Sequence, residues 1–293
     1  MLITSIIFSK DRPLQLDLCL KSIKKNFKDS TQNIVIHNNS ESFENNFAHK
    51  TLREEHPDVE SWKQSDSLFK DVYHAAHGAK NDYICFFTDD DIFYNKFECG
   101  NYDFLNDNNV SCLSLRMGLN ITERSRAGQV GPDVCNNAWG IGESFMFWSK
   151  TAHGYGSYWS YDLSVDGHIF TRSSILEMID ELYALQKRYQ WDNTPNVLES
   201  EMQRFWTIGP NFMISPRHSV VVNSPNNRVQ ETHADNASGE KYDYSSETLL
   251  EKYNSGARIN LDSLDFSDIK CPQDRKSTRL NSSHSSVSRM PSS

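Results

Sequence analysis

Two periodicities alternate along the first hundred residues. Residues 2–8, LITSIIF, are apolar and β-branched, the pattern of a buried strand. Within 13–27, Leu16, Leu20, Ile23 and Phe27 recur at helical spacing behind Pro13, a residue suited to a first helical turn. NIVIH at 33–37 predicts a second strand, and 41–56 a second helix. A weaker strand follows at 58–64. The next helix, 66–80, has Ser65 or Asp66 as its cap, Leu68, Val72, Ala75 and Ala76 facing inward, and Gly78 near its end. DYICFF at 82–87 is a fourth strand. Strands that are continuously apolar and alternate with helices predict an α/β fold: a mainly parallel central sheet with helices on both faces.

Beyond the fourth strand the pattern loosens. VSCLSLRM at 110–117 reads as a strand, and 118–167 is rich in Gly, Asn, Trp and Tyr with little periodicity. Amphipathic helices are expected at 171–189 and 195–206, a late strand at 218–223, and a final helix at 245–256. The expected organisation is an α/β half over 1–117 and an irregular half over 118–273, both within one domain. Residues 274–293 back-translate without a gap into a common short-read sequencing adapter, with 285–287 as its variable index. This tail is expected to be disordered and stands outside the fold argument, which leaves the natural C-terminus open.

Charge narrows the function classes. The 293 residues carry a formal net charge of −9, and setting aside the tail's four Lys/Arg and one Asp takes it to −12. A surface this acidic is ill suited to neutralising nucleic-acid phosphates, so no nucleic-acid partner is expected. No stretch has the apolar length of a membrane span, and the apolar start is strand-length with no basic leader, which reads as a first strand and not a signal peptide. Cys19, Cys85, Cys99, Cys112, Cys135 and Cys271 form no C-x-x-C pair. Reduced thiols and a cytoplasmic location are therefore expected.

The strongest chemical signal is ICFFTDDDIFY, 84–94, where three carboxylates close an apolar strand. By strand alternation Asp89 and Asp91 point one way and Asp90 the other. Carboxylates on one side repel unless a cation or proton neutralises them, and Mg²⁺ or Mn²⁺ suits such oxygen ligands. In open α/β sheets ligands bind beyond the carboxyl ends of the strands. A solvated acidic turn is the simpler alternative. The turn from Phe8-Ser9 to Pro13 can also face a nucleotide, although the G-x-G-x-x-G and G-x-x-x-x-G-K-[ST] fingerprints are absent.

The ordered set of an N-terminal strand, Arg12-Pro13-x-x-Leu16-x-x-x-Leu20-x-Ser22-Ile23, a second strand ending in polar residues and a D-x-D after the fourth strand resembles GT-A-fold glycosyltransferases of the family 2 type, over about 2–95. The resemblance implies a cation-dependent, inverting transfer of a sugar from a nucleotide-diphosphate donor, most readily a UDP-sugar. The acceptor would be a hydroxyl; many relatives build surface polysaccharide at the cytoplasmic face, with which peripheral membrane contact of this chain would be compatible. It implies that Asp89 faces the donor, and that the metal shell draws on Asp89, Asp90 and Asp91, with a late His such as His233 completing it. Phe8, Ser9, Arg12, Asn38 and Lys63 would be donor-side residues. The chain departs from the family's acid after the second strand, carrying His37-Asn38-Asn39-Ser40 instead, and Lys63 is equally a snorkelling surface lysine.

An inverting displacement also needs a general base. Asp166, in the turn DLSVDGHIFTR beside His168, is the chosen candidate, and an Asx turn before the following helix is its alternative reading. Glu143 is a further candidate, while Glu199 and Glu201 read as a solvated helix face. Trp139, Trp148, Trp159, Tyr155, Tyr158 and Tyr161 are suited either to stacking on sugar or to the core. Two rival functions are a phosphohydrolase of the haloacid-dehalogenase type and a non-catalytic carbohydrate-binding protein of degenerate transferase fold.

Overall fold

The computed structural model describes residues 2–123, 135, 137–141, 143–153, 157–205, 209–225 and 245–273. His233, Tyr155 and the tail 274–293 lie outside the described residues.

The alternation read from the sequence is present as β1 (Ile3–Ser9), α1 (Pro13–Asn26), β2 (Ser30–His37), α2 (Phe43–Glu55), β3 (Val59–Lys63), α3 (Leu68–Gly78) and β4 (Tyr83–Thr88). Each helix start has a local cause. Pro13 opens α1, and the hydroxyls of Ser42 and Ser67 accept the N–H of Asn45 and Lys70 to cap α2 and α3. The cap of α3 is therefore Ser67, where Ser65 or Asp66 was expected. Downstream come β5 (Asp91–Phe93), β6 (Val110–Ser114), β7 (Trp139–Ile141), β8 (Phe145–Ser149), β9 (His168–Thr171), α4 (Arg172–Tyr189), α5 (Pro195–Phe205), β10 (Phe212–Pro216), β11 (Val221–Asn223) and α6 (Ser246–Asn254).

One nine-stranded sheet has the order β3-β2-β1-β4-β9-β6-β10-β8-β7, and only β8 and β9 run against the rest. The fold class expected from the sequence is the one observed: α/β, with a mostly parallel central sheet between helices. Alternation along β1 sends Ile6 and Phe8 to one face, with α3, α4 and α5, and Ile3 and Ile7 to the other, with α1, α2 and α6. In β4, Ile84 and Phe86 follow the first pair while Cys85 and Phe87 follow the second. Both faces of β1 and β4 are buried, which is why these strands read as unbroken apolar runs.

The region 118–167, without periodicity in the sequence, contributes β7 and β8 to the sheet edge. The antiparallel β9 wedges between β4 and β6. A second, two-stranded sheet pairs β5 with β11 and aligns Asp91 with Asn223. The six cysteines are free thiols, and no helix among the described residues is long and apolar enough to cross a membrane.

Candidate functional site

The carboxyl ends of β1 and β4 lie side by side, with Phe8 paired to Thr88 and the Asp89 N–H donating to the Phe8 carbonyl at 3.0 Å. Asp89 is thereby set against the β1–α1 turn. Its Oδ2 accepts the Ser9 hydroxyl at 2.9 Å and the Lys10 N–H at 3.1 Å, and its Oδ1 accepts Arg12 Nη1 at 3.0 Å. The same Nη1 lies 3.0 Å from Asp90 Oδ2. Phe8 contributes its backbone here, its ring being stacked on Phe86 in the core. Asp11 holds a left-handed conformation at φ 52° and binds the Ser40 N–H and hydroxyl, tying this turn to the one after β2.

Strand alternation does not describe the three aspartates. β4 ends at Thr88, and Asp89 and Asp90 form a turn before β5 begins at Asp91. Asp90 therefore shares partners with both neighbours instead of pointing away from them. The Thr88 hydroxyl is 2.8 Å from Asp90 Oδ1, 3.4 Å from Asp91 Oδ2 and 3.1 Å from Asp166 Oδ1. One hydroxyl proton serves one of these oxygens at a time. Asn223 is a further donor, its Nδ2 reaching Asp90 at 2.9 Å and Asp91 at 3.2 Å, and the Thr88 N–H donates to Asp91 Oδ2 at 2.9 Å.

Asp166 arrives from the far half of the chain by β-pairing. The Gly167 N–H donates to the Phe86 carbonyl at 2.8 Å, and Gly167 takes φ +71°, a turn that favours glycine. This turn sets Asp166 at the end of β4, where Oδ2 pairs with Arg116 at 2.9 Å. Arg116 is buried to 3% and lies over the Tyr158 ring. Glu199, on α5, accepts the Val165 N–H at 3.1 Å, with the Tyr161 and Ser164 hydroxyls close to its carboxyl.

The site is a largely buried, acid-rich cluster. Burial pushes Asp89 up to about 6 despite Arg12, and Glu199 up to about 7, with Asp166 adding to the latter. Asp91, 1% exposed, is driven well above the ordinary carboxylate range by burial, then by Asp166 and Asp90. Asp166 rises for the same first reason, opposed by Arg116. Among the described residues no Lys, Arg or His forms an ion pair with Asp91. A buried carboxyl group whose hydrogen-bond partners among the described residues are a backbone N–H, a hydroxyl and an amide fits a hard divalent ion. Asp90 and Asp91 face Thr88 and Asn223, with Asp90 also paired to Arg12, while Asp89 is held by the β1–α1 turn. The more tightly gathered trio of Asp17, Glu55 and His56, whose ligand atoms lie within 4.8 Å of one another, is elsewhere and is already neutralised. Lys21 pairs with Asp17 and Arg258 with Glu55, each at 2.7 Å, and this network ties α6 to α1 and α2.

A recess of about 390 Å³ opens at the carboxyl ends of β2 and β3. Its lining includes His37, Asn39, Lys50, Arg53 and Lys63. The His37 and His49 rings stack at 4.2 Å, and both are held neutral: burial, aided by Arg53, takes His37 down to about 4 and His49 to about 3. Lys63 is exposed and pairs with Glu41 at 2.7 Å. The Asn38 side chain is exposed, and its N–H donates to the Ser9 carbonyl at 2.9 Å.

Other residues singled out from the sequence lie elsewhere. His168 is fully buried between the Asp162 carbonyl (2.9 Å) and the Ser114 hydroxyl (2.8 Å), so it is a core group. Trp148 and Trp159 pack edge-to-face in the core, Trp139 is exposed on Phe147, and Glu143 faces solvent. Glu201 pairs with Arg204. Glu199 belongs to the acidic cluster and Glu201 is 8% exposed, so neither lies on a solvated face, a difference that α5's own residues do not encode. Arg116 and Asn223 were not anticipated, because each is recruited by strand pairing across the chain.

No family model and no curated protein matches the chain. Solved structures do. S. aureus TarS 1-349 is 15% identical with a TM-score of 0.41, over 73% of this chain and 58% of that one. The same protein in complex with UDP-GlcNAc gives 15% and 0.37, over 60% and 47%. The glycosyltransferase GlyE of Streptococcus pneumoniae TIGR4 gives 12% and 0.39, over 73% and 45%. These structural neighbours are glycosyltransferases. The chain spans less than two thirds of the length of each.

Proposed function

We propose that this chain is a divalent-cation-dependent glycosyltransferase, moving a sugar from a nucleotide-diphosphate donor to a hydroxyl acceptor. The observation that carries the reading is the meeting of Asp90, Asp91 and Asp166 around the Thr88 hydroxyl, beyond the carboxyl end of β4. Ligands of open α/β sheets bind at such an end.

Asp90 and Asp91 would hold Mn²⁺ or Mg²⁺, which when bound neutralises the charge of the departing diphosphate. Arg12, fixed by Asp89, adds a guanidinium beside that position. The recess lined by His37, Asn39 and Lys63 accommodates the nucleoside end, a UDP-sugar being the first donor to test. Asp166, ion-paired with Arg116 and 15% exposed, would accept the acceptor's hydroxyl proton. The acceptor oxygen then bonds to the anomeric carbon while the carbon–phosphate-oxygen bond breaks, and its electron pair leaves with the diphosphate. A single displacement inverts the anomeric centre. Polysaccharide acceptors, a cytoplasmic site and peripheral membrane contact belong to the same reading.

A panel of nucleoside diphosphates with and without Mn²⁺, read by thermal shift, tests the donor site, because a ligand that binds only the native state raises apparent stability. The expected result is a nucleotide shift that depends on Mn²⁺, with donor hydrolysis that Asp91→Ala abolishes. A glycan-dependent shift with none from any nucleotide would favour a binding protein, and phosphomonoester hydrolysis through an aspartyl phosphate would favour a phosphatase.

A further inference from the structure

Asp166 sits in a turn whose geometry is imposed from two sides. On its C-terminal side, Gly167 is locked by its hydrogen bond to Phe86 and by the pairing of β9 with β4. On its N-terminal side, the segment 161–165 has no strand partner among the described residues and depends on side chains. Three of its groups converge on one residue. The Val165 N–H donates to the Glu199 carboxyl at 3.1 Å, and the hydroxyls of Ser164 and Tyr161 lie close enough to the same carboxyl to interact with it. Ser164 passes the restraint on, since its Oγ accepts the Asp166 N–H at 3.2 Å.

The anchor is itself rigid. Leu198 and Met202 beside Glu199 are 0% and 1% exposed, and α5 packs against α3 and α4. A group held by a packed helix positions its partners more sharply than one on a loop. The Glu199 and Asp166 side chains are both partly exposed, Asp166 by 15%.

We infer that Glu199 is a positioning residue for Asp166: it clamps the 161–166 turn so that the Asp166 carboxylate meets the acceptor hydroxyl at the end of β4. The inference rests on the transferase reading for its catalytic consequence, and on the hydrogen bonds alone for the clamp. Burial beside Asp166 makes a charged group costly at this position, with Glu199 raised to about 7. A side chain kept there at that cost has a task beyond filling space.

Two measurements separate the clamp from the chemistry. Amide hydrogen exchange of 161–167 in full-length Glu199→Ala is expected to rise at least tenfold over wild type while α3 and β4 stay protected. Unchanged protection there overturns the inference whatever the protein catalyses. For turnover, UDP-sugar with Mn²⁺ is the probe. Glu199→Ala is expected to lower kcat at least tenfold with the donor KM unchanged, because a small misplacement of a reacting group is costly. Glu199→Gln, which retains a carbonyl acceptor for Val165, is expected to recover part of the loss, and Tyr161→Phe to lose several-fold in kcat. Equal losses in kcat and donor binding in both Glu199 variants mean general unfolding and overturn the inference. So does a kcat within twofold of wild type in Glu199→Ala. If the wild type turns over no nucleotide sugar, the transferase reading falls, and the exchange result still decides the clamp.

Discussion

A single guanidinium nitrogen of Arg12 stands 3.0 Å from Asp89 and 3.0 Å from Asp90. The two carboxylates are 4% and 9% exposed, so neither has water as a ready substitute for that partner. Arg12→Ala is expected to cost about 3–5 kcal/mol at pH 8, the usual scale for stranding buried charge. Arg12→Lys should recover only part, because a single ammonium lacks the planar fork. The sign with pH follows from Asp89, which already protonates near 6 with Arg12 present. Without that cation its pKa rises further, so the penalty is largest above that raised value and shrinks as pH falls toward about 6, where Asp89 is protonated in both proteins. Urea unfolding at pH 5 and pH 8 checks both statements, and a loss under 1 kcal/mol at pH 8 would refute them.

Asn223 contributes one amide to Asp90 and Asp91 where a further carboxylate would add repulsion. Asn223→Asp is expected to lower the metal-free Tm by roughly 5 °C, from about 2 kcal/mol of buried charge and lost hydrogen bonding. Mn²⁺ should then raise the variant's Tm by more than it raises that of the wild type. Scanning calorimetry with EDTA and with Mn²⁺ reads this directly. A variant indifferent to Mn²⁺ would argue against a cation at Asp90 and Asp91.

His168 is held neutral in the core, with burial first and Arg116 second taking it down to about 3. A histidine with a depressed folded pKa contributes stability that is fully present above its unfolded value, about 6.5. That stability is lost as pH falls toward 3, by at most about 1.4 kcal/mol per pH unit. His168→Gln can keep a hydrogen bond to the Asp162 carbonyl and to Ser114 without titrating. Wild type should therefore lose ground to His168→Gln between pH 6.5 and 4 in parallel denaturant titrations. A constant difference across that range contradicts the assignment.

Legibility followed the strength of the local pattern. α1 and α3 were readable because Leu16, Leu20 and Ile23, or Leu68, Val72 and Ala76, mark one buried stripe, and all are buried as expected. β8 was not, because Phe145, Met146, Phe147 and Trp148 put apolar groups on both faces and show no alternation. β9 and β5 are four and three residues long, too short for any period to emerge, whereas β11 lies within the late strand expected at 218–223. Glu199 looked like solvent-facing helix surface because its charge was the only local cue, and its burial comes from α5 docking beside 161–165.

The sequence by itself determined the alternation of strands and helices, the two-sided burial of β1 and β4, and the carboxylates waiting at the end of β4. These are short-range properties: side-chain period decides which face meets the core, and an apolar run decides where a strand stops. Tertiary structure alone decided that Arg12 faces Asp89, that Asn223 faces Asp91, and that Asp166 with Arg116 joins the same cluster. Those meetings depend on strand order and register, set by packing the whole sheet, and no residue's neighbours in the chain record them.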